Sequence, residues 1–343
     1  MKKRTLTLIL SFFTILSLYR FTAFSSSNIG TTILPVVIET RSVRSTALGK
    51  TFVSNSQNAG SVFEGSVGLC SIDSAQVSFF YNRSYADVGL GYLAFAYPFR
   101  KISLGLGVLN MQTDTFDTII LVEDEKTQQT SEERSFVRGQ SDWIYNLGTG
   151  IEFSRKFHFG FNIKFYNSTL IEKYTASGFV YDLGTKFSIS NFDFGFSFNN
   201  IGQETKYLQE KFNLPQQTQI GISFNTRKEK FYHNFNVAIE YETRTYEEIN
   251  FLHSGIEWSL PSGWIHPISD VSVRAGYVYD ISENVNNRLS CGFGIEFSSI
   301  LIEYSFVPHS KLGISNYFSM TYKFPAGASE AKEIEKPESQ PEW

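Results

Sequence analysis

Apolar side chains occupy every second position over much of this chain. In the stretch "FDFGFSFNN", Phe192, Phe194 and Phe196 alternate with Asp193 and Gly195. Because successive side chains of a β-strand point to opposite faces, such a strand has one aromatic face and one small, polar face. The same alternation recurs almost everywhere after residue 74, and no 3.6-residue helical period competes with it over a long window. The pattern therefore predicts an all-β structure.

The alternating runs predict about fourteen strands of roughly ten residues, the length that a tilted strand needs to cross a membrane. Their predicted ranges are 75–83, 87–98, 101–112, 139–154, 157–168, 175–189, 191–200, 216–227, 231–244, 249–260, 267–280, 287–298, 300–308 and 312–324. In the middle of the chain, tight turns such as 98–101 alternate with long polar connections such as 113–139 and 201–217. Outer-membrane barrels have this asymmetry, with short periplasmic turns and long outer loops.

The composition of the two faces indicates which of them meets lipid. The aromatic face carries almost no charge, as lipid contact requires, since a Lys or Arg at the bilayer midplane costs about 2–4 kcal/mol. The other face is rich in glycine, which indicates a crowded interior. It also carries both signs of charge, at Lys101, Glu152, Lys164, Asp182, Lys186, Asp193, Glu240, Glu257, Arg274, Glu296, Glu303 and Lys323. A closed barrel accepts such charges inside, where they pair across strands or meet water, and a dry sandwich core does not.

This face assignment has consequences for individual residues. We expect arginine at Phe161 or Phe196 to block assembly, and arginine at the neighbouring Asn162 or Ser197 to be much milder. Trp143, Tyr145 and Trp258 fall near strand ends, where an interfacial aromatic girdle is expected. Cys291 falls on the lipid-facing set, which disfavours a disulfide with Cys70.

The two ends of the chain do not follow the alternating pattern. Residues 1–25 have the charged, apolar and small-residue order of a signal peptide for export. We interpret residues 26–73, with the apolar run 33–38, as a segment that enters the barrel from the periplasmic side, and call it the hatch; a loose periplasmic linker is the alternative. Residues 74–324 form the predicted barrel. Residues 325–343 are rich in Pro, Glu, Ser and Lys and are expected to be a disordered periplasmic tail.

Composition and motifs exclude several classes of function. The 343 residues are 42% hydrophobic with a net charge of -4, and the absence of a basic stripe argues against nucleic acid as a partner. The five histidines lack metal-ligand spacing, and the Gly-x-Gly pairs lie inside strands rather than at strand-to-helix turns. We therefore expect no metal, no cofactor and no enzymatic activity.

Several segments resemble those of one family, the PorV/PorQ-type outer-membrane proteins, relatives of the FadL fatty-acid transporters. The matching stretches are "RSTALGKTFV" (44–53), "SGFVYDLGTKFSI" (177–189), "FGFSFNNIG" (194–202), "LPQQTQIGISF" (214–224), "SVRAGYVYD" (272–280) and "LIEYSFVPHSKLGISNYFSMTYKF" (301–324). The resemblance implies a fourteen-stranded barrel with an N-terminal hatch in the bacterial outer membrane. The family's Asn-Pro-Ala-Gly turn is replaced here by the sequence from Gly65 to Gly68, of which only the last glycine matches.

Two kinds of function are compatible with such a barrel. The first is passive uptake of small hydrophobic molecules of the long-chain fatty-acid class, which requires an apolar pocket in the hatch region. The candidate ligand-binding and hatch residues are Val36, Val37, Ile38, Gly49, Phe52, Val53, Phe63, Gly65 and Gly68. The second is a binding partner for exported proteins, as PorV-type proteins serve in type IX secretion. A soluble all-β binding protein is a third, separate alternative.

Overall fold

A computed structural model describes residue 28 and the ranges 30–39, 42–84, 87–123, 130–207, 210–226, 233–261, 267–282, 287–309 and 313–325. The predicted signal peptide and the tail beyond residue 325 lie outside the described residues. Predictions about those two segments therefore remain predictions.

Fourteen strands close into one antiparallel barrel, in the order β1-β2-β3-β6-β7-β8-β9-β12-β13-β14-β15-β16-β17-β18 and back to β1. Their bounds are β1 Gln76–Arg83, β2 Gly89–Phe99, β3 Ile102–Gln112, β6 Gln140–Ser154, β7 Phe157–Leu170, β8 Tyr174–Ile189, β9 Phe192–Gly202, β12 Gln217–Asn225, β13 Asn234–Arg244, β14 Ile249–Pro261, β15 Ile268–Asp280, β16 Arg288–Phe297, β17 Ile300–His309 and β18 Gly313–Lys323. The predicted fold class is confirmed, and each predicted strand corresponds to one barrel strand.

The two ends of the barrel differ in their connections. At the end that we call the short-turn end, β2 and β3, β8 and β9, and β16 and β17 are joined by tight turns. At the opposite long-loop end, two connections predicted only as polar loops contain hairpins. These are β4 Thr115–Glu123 with β5 Thr130–Arg138, and β10 Thr205–Tyr207 with β11 Glu210–Phe212.

The wall has the two faces that the alternation predicts. Phe192, Phe194 and Phe196 are each more than 40% exposed on the outside, whereas Asp193 and Ser197 between them are buried. Trp143 is exposed near the long-loop end and Trp258 near the short-turn end. An outer surface of this kind is unsuited to water and matches the apolar band of a membrane barrel.

Most of the charges assigned to the inner face are paired there. Lys164 lies 2.6 Å from Asp182, and Lys323 lies 2.7 Å from Glu296. The assignment of Lys101 to the inner face was wrong. Lys101 lies in the turn between β2 and β3 and is exposed, because β2 ends at Phe99 and β3 begins only at Ile102. Both cysteines are free, with Cys291 exposed on the outer face.

The hatch lies inside the barrel and is built from short helical pieces. They are α1 Val36–Glu39, α2 Val43–Ala47, α3 Ser61–Glu64 and a 3₁₀ helix Ser66–Ser71. The side chain of Ser42 caps α2 by accepting a hydrogen bond from the Ser45 amide at 3.2 Å. None of the helices in the described ranges is long and apolar enough to cross a membrane.

Candidate functional site

The hatch extends through the lumen from one end of the barrel to the other. At the long-loop end, the amide of Ile33 donates to the carbonyl of Asn213 at 3.1 Å. At the short-turn end, Lys186 Nζ donates to Ser71 Oγ at 2.7 Å. The segment therefore reaches further than an entry from the periplasmic side alone would require, and it occupies the lumen as a plug.

Glycines on the inner wall make room for this plug. Many face each other across neighbouring strands, as in the pairs Gly105–Gly148, Gly150–Gly160, Gly160–Gly184, Gly195–Gly221 and Gly255–Gly276. A Cβ atom added at Gly105 would lie 2.9 Å from the Leu69 side chain, and one at Gly255 would lie 2.5 Å from the Leu48 carbonyl oxygen. The crowded interior predicted from these glycines is therefore present, and the hatch is what crowds it.

One side of the hatch forms an apolar cluster with the wall. The cluster includes the candidate residues Val36, Val37, Ile38 and Phe63, all at most 4% exposed. The wall contributes Phe80, Leu90, Tyr92, Ala94, Leu109, Met111, Ile144, Tyr166, Val180, Val307 and Tyr317. This is the larger of the two clusters of buried apolar residues in the described part of the chain.

Four aromatic rings line up inside the cluster. Phe63 of the hatch packs on Tyr92 with ring centroids 4.8 Å apart, and Tyr92 stacks nearly parallel on Phe80 at 4.6 Å. Tyr317 follows at 6.3 Å from Phe80. The column joins the hatch to β2, β1 and β18, so an apolar molecule that entered the cluster would meet ring faces and edges on its way.

The candidates Phe52 and Val53 lie apart from this cluster, on the polar side of the lumen. The buried carboxylate of Glu240 accepts hydrogen bonds from the amides of Phe52 at 2.9 Å and Ser54 at 3.1 Å. It also accepts one from Ser54 Oγ at 3.0 Å. Val53 packs against Gly195 of β9. The six apolar candidates are therefore divided between an apolar cluster and a hydrogen-bonded turn, rather than lining one pocket.

The three candidate glycines serve close packing. Gly49 has a φ of +67°, and a Cβ there would lie 2.6 Å from the Ser254 carbonyl oxygen. Its own carbonyl oxygen lies 2.8 Å from Nδ1 of His253. Gly65 joins α3 to the 3₁₀ helix, and a Cβ on Gly68 would lie 2.8 Å from Ser56 Oγ.

Sequence reasoning missed the charged contacts between hatch and wall. Arg44 of α2 lies 2.5 Å from Glu257, and Lys50 lies 2.6 Å from Glu39 within the hatch. Glu257 was assigned to the inner face, and Arg44 is one of two arginines in the hatch segment, the other being Arg41. An arginine in a segment interpreted as entering the lumen and a glutamate on the inner face were the available signal. The partners are more than 200 residues apart, so only the fold identifies the pair.

The described residues contain no group of three or more His, Cys, Asp or Glu side chains placed to hold a metal ion. The larger cavity described for this chain is polar rather than apolar. It has a volume of about 230 Å³, lies at the short-turn end and is bordered by Arg44, Asp270, Glu296 and Lys323, among others.

Solved structures show barrels of the same architecture. The toluene transporter TodX of Pseudomonas putida has a TM-score of 0.56 at 10% identity, over 82% of this chain and 96% of that one. The toluene transporter TbuX of Ralstonia pickettii has a TM-score of 0.58 at 10% identity, over 84% and 99%. A FadL homologue of Pseudomonas aeruginosa has a TM-score of 0.50 at 9% identity, over 82% and 98%.

These similarities show that the chain shares the barrel fold of these proteins, and they show the fold alone. No protein-family model matches the sequence, and no curated protein matches it. At about a tenth sequence identity, shared architecture carries no assignment of substrate.

Proposed function

We propose that this protein is a non-catalytic outer-membrane barrel for the passive uptake of small hydrophobic molecules. The observation that carries the proposal is the apolar cluster between hatch and wall, inside a barrel whose outer surface is aromatic and exposed. A hydrophobic molecule gains free energy when it leaves water for an apolar cluster of this kind. The residues that we assign to this route are Val36, Val37, Ile38 and Phe63 of the hatch, with Tyr92 and Phe80 of the wall.

Two ligand classes deserve a direct test. The resemblance to FadL transporters favours long-chain fatty acids. The stacked rings of Phe63, Tyr92 and Phe80 favour aromatic compounds, the class to which the toluene carried by the structurally similar transporters belongs. Both classes would gain free energy from the transfer of their apolar surface out of water.

Binding is the measurement that tests the proposal. The purified full-length protein in lipid nanodiscs should bind the fluorescent probe 1-N-phenylnaphthylamine, and palmitate or toluene should displace it. Phe63→Ala should weaken probe binding by about tenfold, because it removes a ring from the column that the probe would contact. Phe153→Ala, which alters a phenylalanine 63% exposed on the outer face, is the matched control and should leave binding unchanged. No probe binding above that of the boiled protein would refute hydrophobic uptake.

The location is tested separately. Residues 1–25 should be removed on export, and the mature chain should fractionate with outer-membrane lipid. Recovery of the chain in the soluble pool would support the soluble all-β alternative. That alternative would leave large apolar side chains such as Leu106, Phe179 and Ile239 in water.

A second candidate function is partnership with exported proteins, as in the PorV/PorQ resemblance. One observation favours it: the β4–β5 hairpin stands at the long-loop end with Phe136 70% exposed and Ile119 63% exposed. Exposed apolar residues on a projecting hairpin are suited to protein contact. Exported proteins should co-purify with the parent chain from detergent extracts, and should be lost when 115–138 is replaced by a short Gly-Ser turn. Equal recovery with both chains would contradict this role.

A further inference from the structure

A chain of buried charges joins the hatch to the wall near the short-turn end. Nη2 of Arg44 lies 2.5 Å from Glu257 Oε2, and its Nη1 donates to the carbonyl oxygen of Asn55 at 2.5 Å. Glu257 also faces Arg274, at 3.4 Å, and Arg274 lies 2.8 Å from Glu303. The side chains of the two arginines and two glutamates are all at most 9% exposed.

The polar cavity of about 230 Å³ lies directly beside this chain. Arg44, Glu257, Arg274 and Glu303 all border it, so the ion pairs have polar space on one side. Asp270 of β15 borders the same cavity. An arginine that leaves its partner in a dry core bears the full cost of an unpaired charge. Here the guanidinium would instead meet the polar cavity and the Asp270 carboxylate, which makes exchange of partners feasible.

The part of the hatch around Arg44 is held together from within. The Glu64 carboxylate accepts a hydrogen bond from the Ser42 amide at 2.5 Å and another from Ser56 Oγ at 2.9 Å. Because Glu64 belongs to α3 and Ser42 caps α2, the two helices are tied to each other. A movement of Arg44 would therefore carry both helices with it.

We propose that the Arg44–Glu257 ion pair is a latch, and that its opening lets the helical part of the hatch shift into the adjoining cavity. The hydrogen bonds of Glu240 to residues 52–54 lie nearer the long-loop end than Glu257 does, and the hatch would pivot about them. The inference rests on the proposed function only in treating the lumen as the route of uptake.

A cysteine reporter on α2 tests the latch. Ser45 is next to Arg44 and 1% exposed, so Ser45→Cys in a Cys70→Ser, Cys291→Ala background is protected from reagents while the latch is closed. Each variant is reconstituted in lipid vesicles and treated with a water-soluble maleimide. Arg44→Met and Glu257→Gln should each raise the labelling rate at least tenfold.

The matched control is Glu296→Gln. It breaks a carboxylate–lysine pair that borders the same cavity but joins β16 to β18 without touching the hatch, and it should leave labelling at the parent rate. Heat-modifiable gel mobility verifies that each barrel is folded. Should Glu257→Gln not fold, Arg44→Met decides, because it leaves Glu257 facing Arg274. Labelling of Arg44→Met at the rate of Glu296→Gln would overturn the latch.

Amide hydrogen exchange provides a second readout without the reporter cysteine. Residues 43–50 should exchange at least tenfold faster in Arg44→Met than in Glu296→Gln, and equal protection would refute the latch. Neither measurement uses a transported molecule. Faster labelling and exchange in Arg44→Met, without any probe binding by the parent protein, would refute uptake alone. Probe binding by the parent protein, with unchanged labelling and exchange in Arg44→Met, would refute the latch alone.

Discussion

Single glycines allow the backbones of the hatch and the wall to lie close together. Gly49 is the example that combines a close approach with a positive φ. It combines a φ of +67° with a wall backbone oxygen 2.6 Å from where a Cβ would stand. Gly30 has a similar φ of +76° and nothing within 4 Å. Alanine substitutions at Gly30 and Gly49 therefore separate the conformational cost of a side chain at positive φ from the cost of a steric conflict with the wall.

Gly30→Ala should lower the free energy of unfolding by about 1–2 kcal/mol at most, the cost of a left-handed alanine. Gly49→Ala should lower it by more than about 3 kcal/mol, or displace the hatch, because the steric conflict with β14 and β15 is added to that cost. Urea titration followed by heat-modifiable mobility and by protease sensitivity of the hatch measures both effects. Equal losses for the two variants would mean that the hatch does not press on the wall.

Outward phenylalanines provide the second prediction at this scale. Phe196→Arg should block assembly or cost about 2–4 kcal/mol, because it places a charge in lipid, whereas Phe196→Leu should fold normally. The inward position Asn162 is a poorer control than the alternation implied. Its Nδ2 donates to the Val62 carbonyl oxygen at 3.0 Å, so an arginine there would collide with the hatch. A correctly folded Phe196→Arg barrel would reverse the assignment of faces.

At the scale of elements, the strands could be predicted and the connections only in part. Alternation over ten or more residues is a strong signal, and the barrel wall follows it. The β10–β11 hairpin has three-residue strands, which are too short to show a period. Its Tyr207 hydroxyl donates to Ser168 Oγ of β7 at 2.5 Å, a contact between residues that are distant in the chain. The three α-helices of the hatch have four or five residues each, less than two turns, so only their apolar content was visible.

The closing strand provides a test of the predicted boundary. β18 pairs with β17 on one side and β1 on the other, and the Phe324 amide donates to the Ala75 carbonyl oxygen at 2.8 Å. A chain cut after Phe324 should therefore fold and insert normally. A chain cut before Tyr317 should do neither, because β1 and β17 would present open edges in hydrocarbon. Heat-modifiable mobility separates the outcomes, and failure of the first truncation would place the tail inside the domain.

At the scale of the whole molecule, the hatch meets an apolar cluster over one part of the wall and buried charges over another. The apolar cluster lies against β1–β3, β6–β8, β17 and β18, and the buried Glu240, Glu257 and Arg274 lie on β13–β15. The alternation of the strands fixed which residues point inward but not which of them meet the hatch. That division depends on contacts between segments far apart in the chain, such as Arg44 with Glu257, which no local pattern contains.

Removing the hatch tests whether it alone closes the barrel. Eight strands enclose a space that their own side chains fill, and barrels of about 16–18 strands enclose an aqueous channel, so fourteen strands with a glycine-lined wall should stand open when empty. Deleting 28–72 while keeping the export signal should raise single-channel conductance in planar bilayers at least tenfold over the parent. Replacing the outer hairpin 115–138 with a short turn should leave conductance at the parent level, since among the described residues its two strands pair with each other and with no barrel strand. A folded hatchless barrel that conducts no better than the parent would show that the wall's own side chains close the lumen.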